Sequence, residues 1–133
     1  MMIPSVLHFI PCEDARPDPR GLHLINVYGI TTKIRANQDP PFPFRWSTQK
    51  VLVFFRGGQG TAEFVIRVTH EETGQIATQS KQPHRVQFVG DPRDVNGAVI
   101  RVQNCLFPQE GVYWIELVFG TEVLARQPIR VFS

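Results

Sequence analysis

Phe107-Pro108-Gln109-Glu110-Gly111-Val112-Tyr113-Trp114-Ile115-Glu116-Leu117-Val118-Phe119-Gly120-Thr121-Glu122 is the stretch whose reading decides the fold. Tyr113, Ile115, Leu117 and Phe119 make an apolar row at period two, the pattern of a strand that buries one face. Gly120-Thr121 suits a two-residue hairpin of the glycine-first type, because glycine accepts positive φ without a Cβ clash. Glu122 to Val131 is then the returning strand, with Pro128 partly blocking its edge. Trp114 falls on the face opposite Tyr113.

The rest of the chain agrees with this all-β reading. Eleven prolines and ten glycines interrupt it at short intervals, and no window of a dozen residues keeps a helical stripe free of them. The expected strands are Val6 to Cys12, Leu22 to Tyr28 with Ile30 to Ile34 continuing or following it after Gly29, a segment within Arg45 to Arg56, Ala62 to Thr69, Gln75 to Gln79, a short one at Val86 and Phe88, and Ala98 to Phe107. Glu13 to Gly21 closes the first of them, and the proline-bearing Asn37 to Pro43 is a loop. Val51 to Phe55 is continuously apolar, as in a strand covered on both faces. Gly57-Gly58-Gln59-Gly60, Glu71 to Gly74 and Asn96-Gly97 read as turns. With the terminal hairpin this gives about eight or nine strands, the spacing of an antiparallel sandwich of two sheets.

A chain of 133 residues without a linker or repeat reads as one domain over residues 1–133. Fourteen Lys and Arg stand against twelve Asp and Glu, with no two basic residues adjacent, so the sequence shows no run of positive charge of the kind that tracks phosphates, and no nucleic-acid partner is expected. The apolar start lacks a positive n-region, and no stretch approaches the roughly 18 apolar residues of a membrane span. A cytoplasmic protein that engages no membrane is the simplest expectation. Cys12 and Cys105 then read as unlinked thiols in a reducing compartment.

The Pro108-x-x-Gly111-x-Tyr113 corner resembles the tyrosine corner of immunoglobulin-like sandwiches, in which the phenol hydroxyl bonds back to the preceding loop. Antibody domains carry a cysteine two residues after that tyrosine, where this chain has Ile115, so the likeness is to the broad immunoglobulin-like fold. Cys12 with its following Asp-Pro stretch, Gly29, the Pro-Phe segment, the Gly-Gly-Gln-Gly turn, the Glu-Thr-Gly hairpin and the Gly-Val-Tyr-Trp strand are together similar to a family of small bacterial proteins defined by fold and sequence. That resemblance implies the fold and a bacterial origin, and it supplies no catalytic motif.

Site chemistry is sparse in the sequence. His8, His23, His70 and His84 lack the short spacings of metal-binding pairs, and solvated or singly hydrogen-bonded histidines are expected. Asp91 to Gly97 lacks the register of a calcium loop. There is no Gly-x-Ser-x-Gly elbow, no serine adjoins a histidine, and the glycines at 57, 58 and 60 precede no phosphate-binding Lys-Ser or Lys-Thr. Glu71 and Glu72 are adjacent, so on a strand they point to opposite faces and make no acid–base pair. No catalytic residue, cofactor or metal is expected. Phe42, Phe44 and Trp46 follow one another at period two and, with Trp114, are the candidate interaction surface, while core cover is the plainer use of such rings. The leading expectation is a non-enzymatic interaction module that meets another protein, or its own copy, through an edge strand or the Pro-Phe segment. The other is a small-ligand or carbohydrate-binding domain with Trp46 and Trp114 as platforms.

Overall fold

The computed structural model describes residues 3–21, 24–47 and 49–133, which form twelve strands and no helix. They are β1 (Ser5–Pro17), β2 (Ile25–Ile30), β3 (Lys33–Arg35), β4 (Phe44–Trp46), β5 (Lys50–Arg56), β6 (Thr61–His70), β7 (Ile76–Gln79), β8 (His84–Gln87), β9 (Val95–Arg101), β10 (Cys105–Phe107), β11 (Gly111–Phe119) and β12 (Glu122–Phe132). Twelve exceeds the expected eight or nine because β3, β4 and β10 are three-residue pieces. Leu22 and His23, which open the expected second strand, lie outside the described residues. No helix among the described residues is long and apolar enough to cross a membrane.

One sheet has the order β2-β1-β5-β9; the other runs β3-β12-β11-β6-β7, with β8 also on β6; β10 and β4 make a separate two-stranded ribbon. The chain alternates between sheets so that β1, β5 and β9 adjoin in one and β6, β11 and β12 in the other, the connectivity of an immunoglobulin-like sandwich. Pairing is antiparallel except at one edge, where β3 runs parallel to β12 with Arg130 opposite Lys33 and Phe132 opposite Arg35. The sandwich is therefore not wholly antiparallel. After β2 the chain crosses to the other sheet and reaches the β12 edge in the same direction as β12, and the Arg130 and Ala36 amides extend that ladder by donating to Thr32 and Phe132 carbonyls. The β11–β12 hairpin turns at Gly120-Thr121, with Phe119 opposite Glu122 and Gly120 at φ 61°.

Three local expectations give way to tertiary packing. β1 does not stop before Glu13. It leaves β5 at Cys12 and continues to Pro17 paired with β2. Asn96-Gly97 is no turn but lies inside β9, with Gly97 opposite Phe54. A Cβ on Gly97 would stand 3.1 Å from the Phe54 ring and 3.2 Å from Ile25 Cδ1, so the glycine makes room for side chains crossing above it. Finally, the Ala98 to Phe107 strand breaks after Arg101, turns at Gln103-Asn104, and resumes as β10 on β4.

Val51, Val53 and Phe55 of β5 enter the main core with Phe64, Ile66, Val68, Ile115, Leu117 and Ile129. Leu52 points the other way into a second cluster with Cys12 and Ala15, flanked by Ile10, Ile25, Val27 and Phe54. The β1–β2 ribbon thus folds across the outer face of β5, which explains why that strand is continuously apolar from Val51 to Phe55. Asp14 ties the ribbon to β5 through Lys50 Nζ at 2.6 Å, and the Lys50 and Arg16 partners lower its carboxyl to about 2.

Candidate functional site

Period two along β12 sends Ile129 and Val131 into the core and Arg126, Pro128, Arg130 and Phe132 to the outer side. On β3 the buried residue is Ile34, opposite Val131, so Lys33 and Arg35 share the outer side with Arg130 and Phe132. On β11 the same alternation puts Tyr113 and Ile115 inside and Trp114 outside, between Pro128 of β12 and Thr69 of β6. With Arg67 of β6, the outer face of the larger sheet therefore gathers five basic side chains and two aromatic rings from four strands. Arg126 lies over the Trp114 ring at 4.2 Å from its centroid, and Arg130 over Phe132 at 5.2 Å.

The charge on this face is largely uncompensated. Arg67 Nε meets Glu116 Oε1 at 2.9 Å, and the Thr69 hydroxyl donates to the same oxygen at 2.8 Å, so the buried Glu116 is occupied. Lys33, Arg35, Arg126 and Arg130 form no ion pair among the described residues. Lys33 and Arg130 stand directly opposite each other, an arrangement of like charges that costs stability unless a counter-charge meets it. The basic residues are scattered in sequence but not in space. The signal that finds them is the even spacing of Lys33 and Arg35, and of Arg126 and Arg130, since in strands even spacing means a shared face.

Of the aromatic candidates, Trp114 belongs to this face and is half-buried under Arg126. Phe44 and Trp46 stand opposite Phe107 and Cys105, both fully buried, and with Phe42 they pack half-buried against the main core. Phe44 and Trp46 also line a cleft of about 290 Å³ together with Lys33, Arg35 and the Glu13 carboxylate, which forms no ion pair with either cation. The two tryptophans share no ring contact, but the basic row on β3 and β12 runs between their surroundings.

Tyr113 is fully buried, and its hydroxyl donates to the Gln109 carbonyl at 2.5 Å while accepting from the Gln109 amide at 3.3 Å. His70 departs from the expectation of a solvated or singly bonded ring. It is buried, its Nδ1 accepts from the Thr73 amide at 3.2 Å, and Nε2 donates to the Glu110 carbonyl at 3.1 Å. His84 is half-buried with Nε2 3.1 Å from the Ser80 hydroxyl, and burial lowers its pKa. That hydroxyl also accepts from the Ile66 amide at 3.1 Å, so it closes a gap in the β6 ladder. Cys12 and Cys105 are buried and unlinked, and burial pushes the Cys105 thiol up to about 12. No group of three or more His, Cys, Asp or Glu side chains is gathered for a metal among the described residues.

Residues 7–132 match a family described as "Family of unknown function (DUF6941)". No curated protein matches the chain. Among solved structures, a β-D-glucoside glucohydrolase from Trichoderma reesei is 12% identical, with a TM-score of 0.48 over 97% of this chain and 19% of that one. The chain thus spans less than a fifth of that enzyme. An immunoglobulin-like protein from Pseudomonas aeruginosa is 13% identical, with a TM-score of 0.35 over 89% of this chain and 96% of that one.

Proposed function

The chain belongs to the family of unknown function DUF6941, and we propose that it is a non-catalytic interaction module whose basic outer face docks an acidic segment of another protein. The observation that carries this reading is the row of unpaired Lys33, Arg35, Arg126 and Arg130 across β3 and β12, with the like charges of Lys33 and Arg130 in register. Such a row is stabilised by carboxylates arriving from outside the fold, and complementary charge of this kind sets both the choice of partner and the rate of encounter. Arg126 covers one face of Trp114, so the indole holds the guanidinium flat and presents its edge to a bound carboxylate rather than offering that face to a sugar.

The test is fluorescence anisotropy of a labelled polyglutamate peptide against the wild type and the Arg126→Glu/Arg130→Glu variant, with polylysine and a DNA duplex as competitors. The wild type binds polyglutamate at low salt, and the double reversal weakens it by about tenfold or more, with both losing affinity as salt screens the exposed charges. Equal binding by the two proteins, no binding by either, or a clear preference for the duplex overturns the reading.

A further inference from the structure

A second cationic site lies away from the basic face, where β7, the β7–β8 loop, the β9–β10 turn and β4 surround a cleft of about 670 Å³. Clefts of roughly 300–1,000 Å³ are the size that takes small ligands. Alternation on the β4–β10 ribbon sends Phe44, Trp46, Cys105 and Phe107 to the core side and leaves Arg45 and Leu106 facing the cleft. Arg101 comes from the end of β9 and Lys81 from the β7–β8 loop, so three separate segments each supply one cation. No aspartate or glutamate lines the cleft, and none of the three basic groups has an ion-pair partner among the described residues.

Away from this cleft and the basic face, carboxylates neutralise most of the basic residues. Asp14 takes Arg16 and Lys50, Asp18 takes Arg20, Asp91 takes Arg93, and Glu116 takes Arg67. Three like charges brought to one concave site without any carboxylate repel one another, and low-dielectric walls strengthen that field. Asn104, at φ 53° on the β9–β10 turn, accepts from Arg45 Nη1 at 3.4 Å and steers the guanidinium without neutralising it. Gln82 and Gln103 add amide donors, while Ala77 and Leu106 give apolar surface.

We propose that this cleft binds a small organic polyanion, its charged oxygens held by Arg45, Lys81 and Arg101 and its carbon skeleton lying on Ala77 and Leu106. Phosphate esters and polycarboxylates share this chemistry. The geometry favours a ligand with at least two charged groups, since the cations come from different walls.

Isothermal titration of the full chain with inorganic pyrophosphate and with citrate, against sodium chloride at matched ionic strength, separates the two sources. Binding of pyrophosphate alone assigns the site to phosphate esters, binding of citrate alone to polycarboxylates, and binding of both to the shared oxyanion chemistry. In each case the Arg45→Gln/Lys81→Gln/Arg101→Gln variant, altered only at exposed side chains, binds at least about tenfold more weakly. The Arg126→Glu/Arg130→Glu protein keeps wild-type affinity for these ligands, which distinguishes this site from the basic face. Absence of binding by the wild type, or unchanged binding by the triple variant, overturns the proposal.

Discussion

Tyr113 and His70 lock the same corner from two sides. The phenol bonds both polar groups of Gln109, the imidazole holds the Glu110 carbonyl and the Thr73 amide, and the rings meet edge to face at 4.9 Å. Gly111 completes the packing. At φ 138° it adopts a conformation other residues resist, and a Cβ there would stand 2.5 Å from His70 Nε2. The Pro108-x-x-Gly111-x-Tyr113 spacing made the tyrosine's bond legible in the sequence, because all its parts are local. His70 was not legible, since its partners lie on both its own hairpin and the distant β10–β11 corner. Tyr113→Phe is expected to lower unfolding free energy by about 1 kcal/mol, the size of one lost hydrogen bond. Urea denaturation measures it, and an unchanged midpoint and slope remove the hydroxyl from the stability of the corner.

At the scale of elements, β5 and the β1–β2 ribbon show what covering a sheet on its outer side requires. Val51, Val53 and Phe55 were readable as core from their apolar character, and the intervening Leu52 and Phe54 implied a second cover whose source the sequence left open. The cover is the ribbon itself. β1 is thirteen residues long, pairs with β5 only from Ser5 to Cys12, and carries Ala15 and the β2 residues Ile25 and Val27 over the exposed side of its own sheet. Leu52 is 1% exposed, so Leu52→Ala removes a side chain packed between two layers. Its expected cost is about 3 kcal/mol, in the range of buried leucine truncations. Val99→Ala, on β9 of the same sheet at 42% exposure, is expected to change stability by no more than about 0.5 kcal/mol. Comparable small losses at both positions in chemical denaturation would mean that the ribbon does not hold the sheet.

For the whole molecule, the disposition of thiols and of charge follows from the sandwich. Cys12 sits in the outer cluster and Cys105 in the main core, both fully buried, with burial raising both thiols and taking Cys105 to about 12. Thiolates are the reactive species, so the native protein at about pH 8 is expected to resist an aromatic disulfide reagent. Both cysteines then react once denaturant is added; rapid labelling of the native protein would contradict their burial. Charge is sorted as sharply. Acids stand within two residues of Arg16, Arg20 and Arg93 and pair with them locally, whereas most of the unpaired cations collect on the β3–β12 face and around the cleft beside the β9–β10 turn. The sequence by itself determined the strand-rich class, the terminal hairpin, the tyrosine corner and the doubly covered β5, because period two, turn chemistry and nearest-neighbour sterics act over a few residues. Only the tertiary structure decided that β3 runs parallel to β12, that Gly97 makes way for Ile25, and that cations far apart in the chain share one face and one cleft. Those outcomes depend on which strands become neighbours and in which register, a long-range choice made by burying the whole set of apolar faces at once.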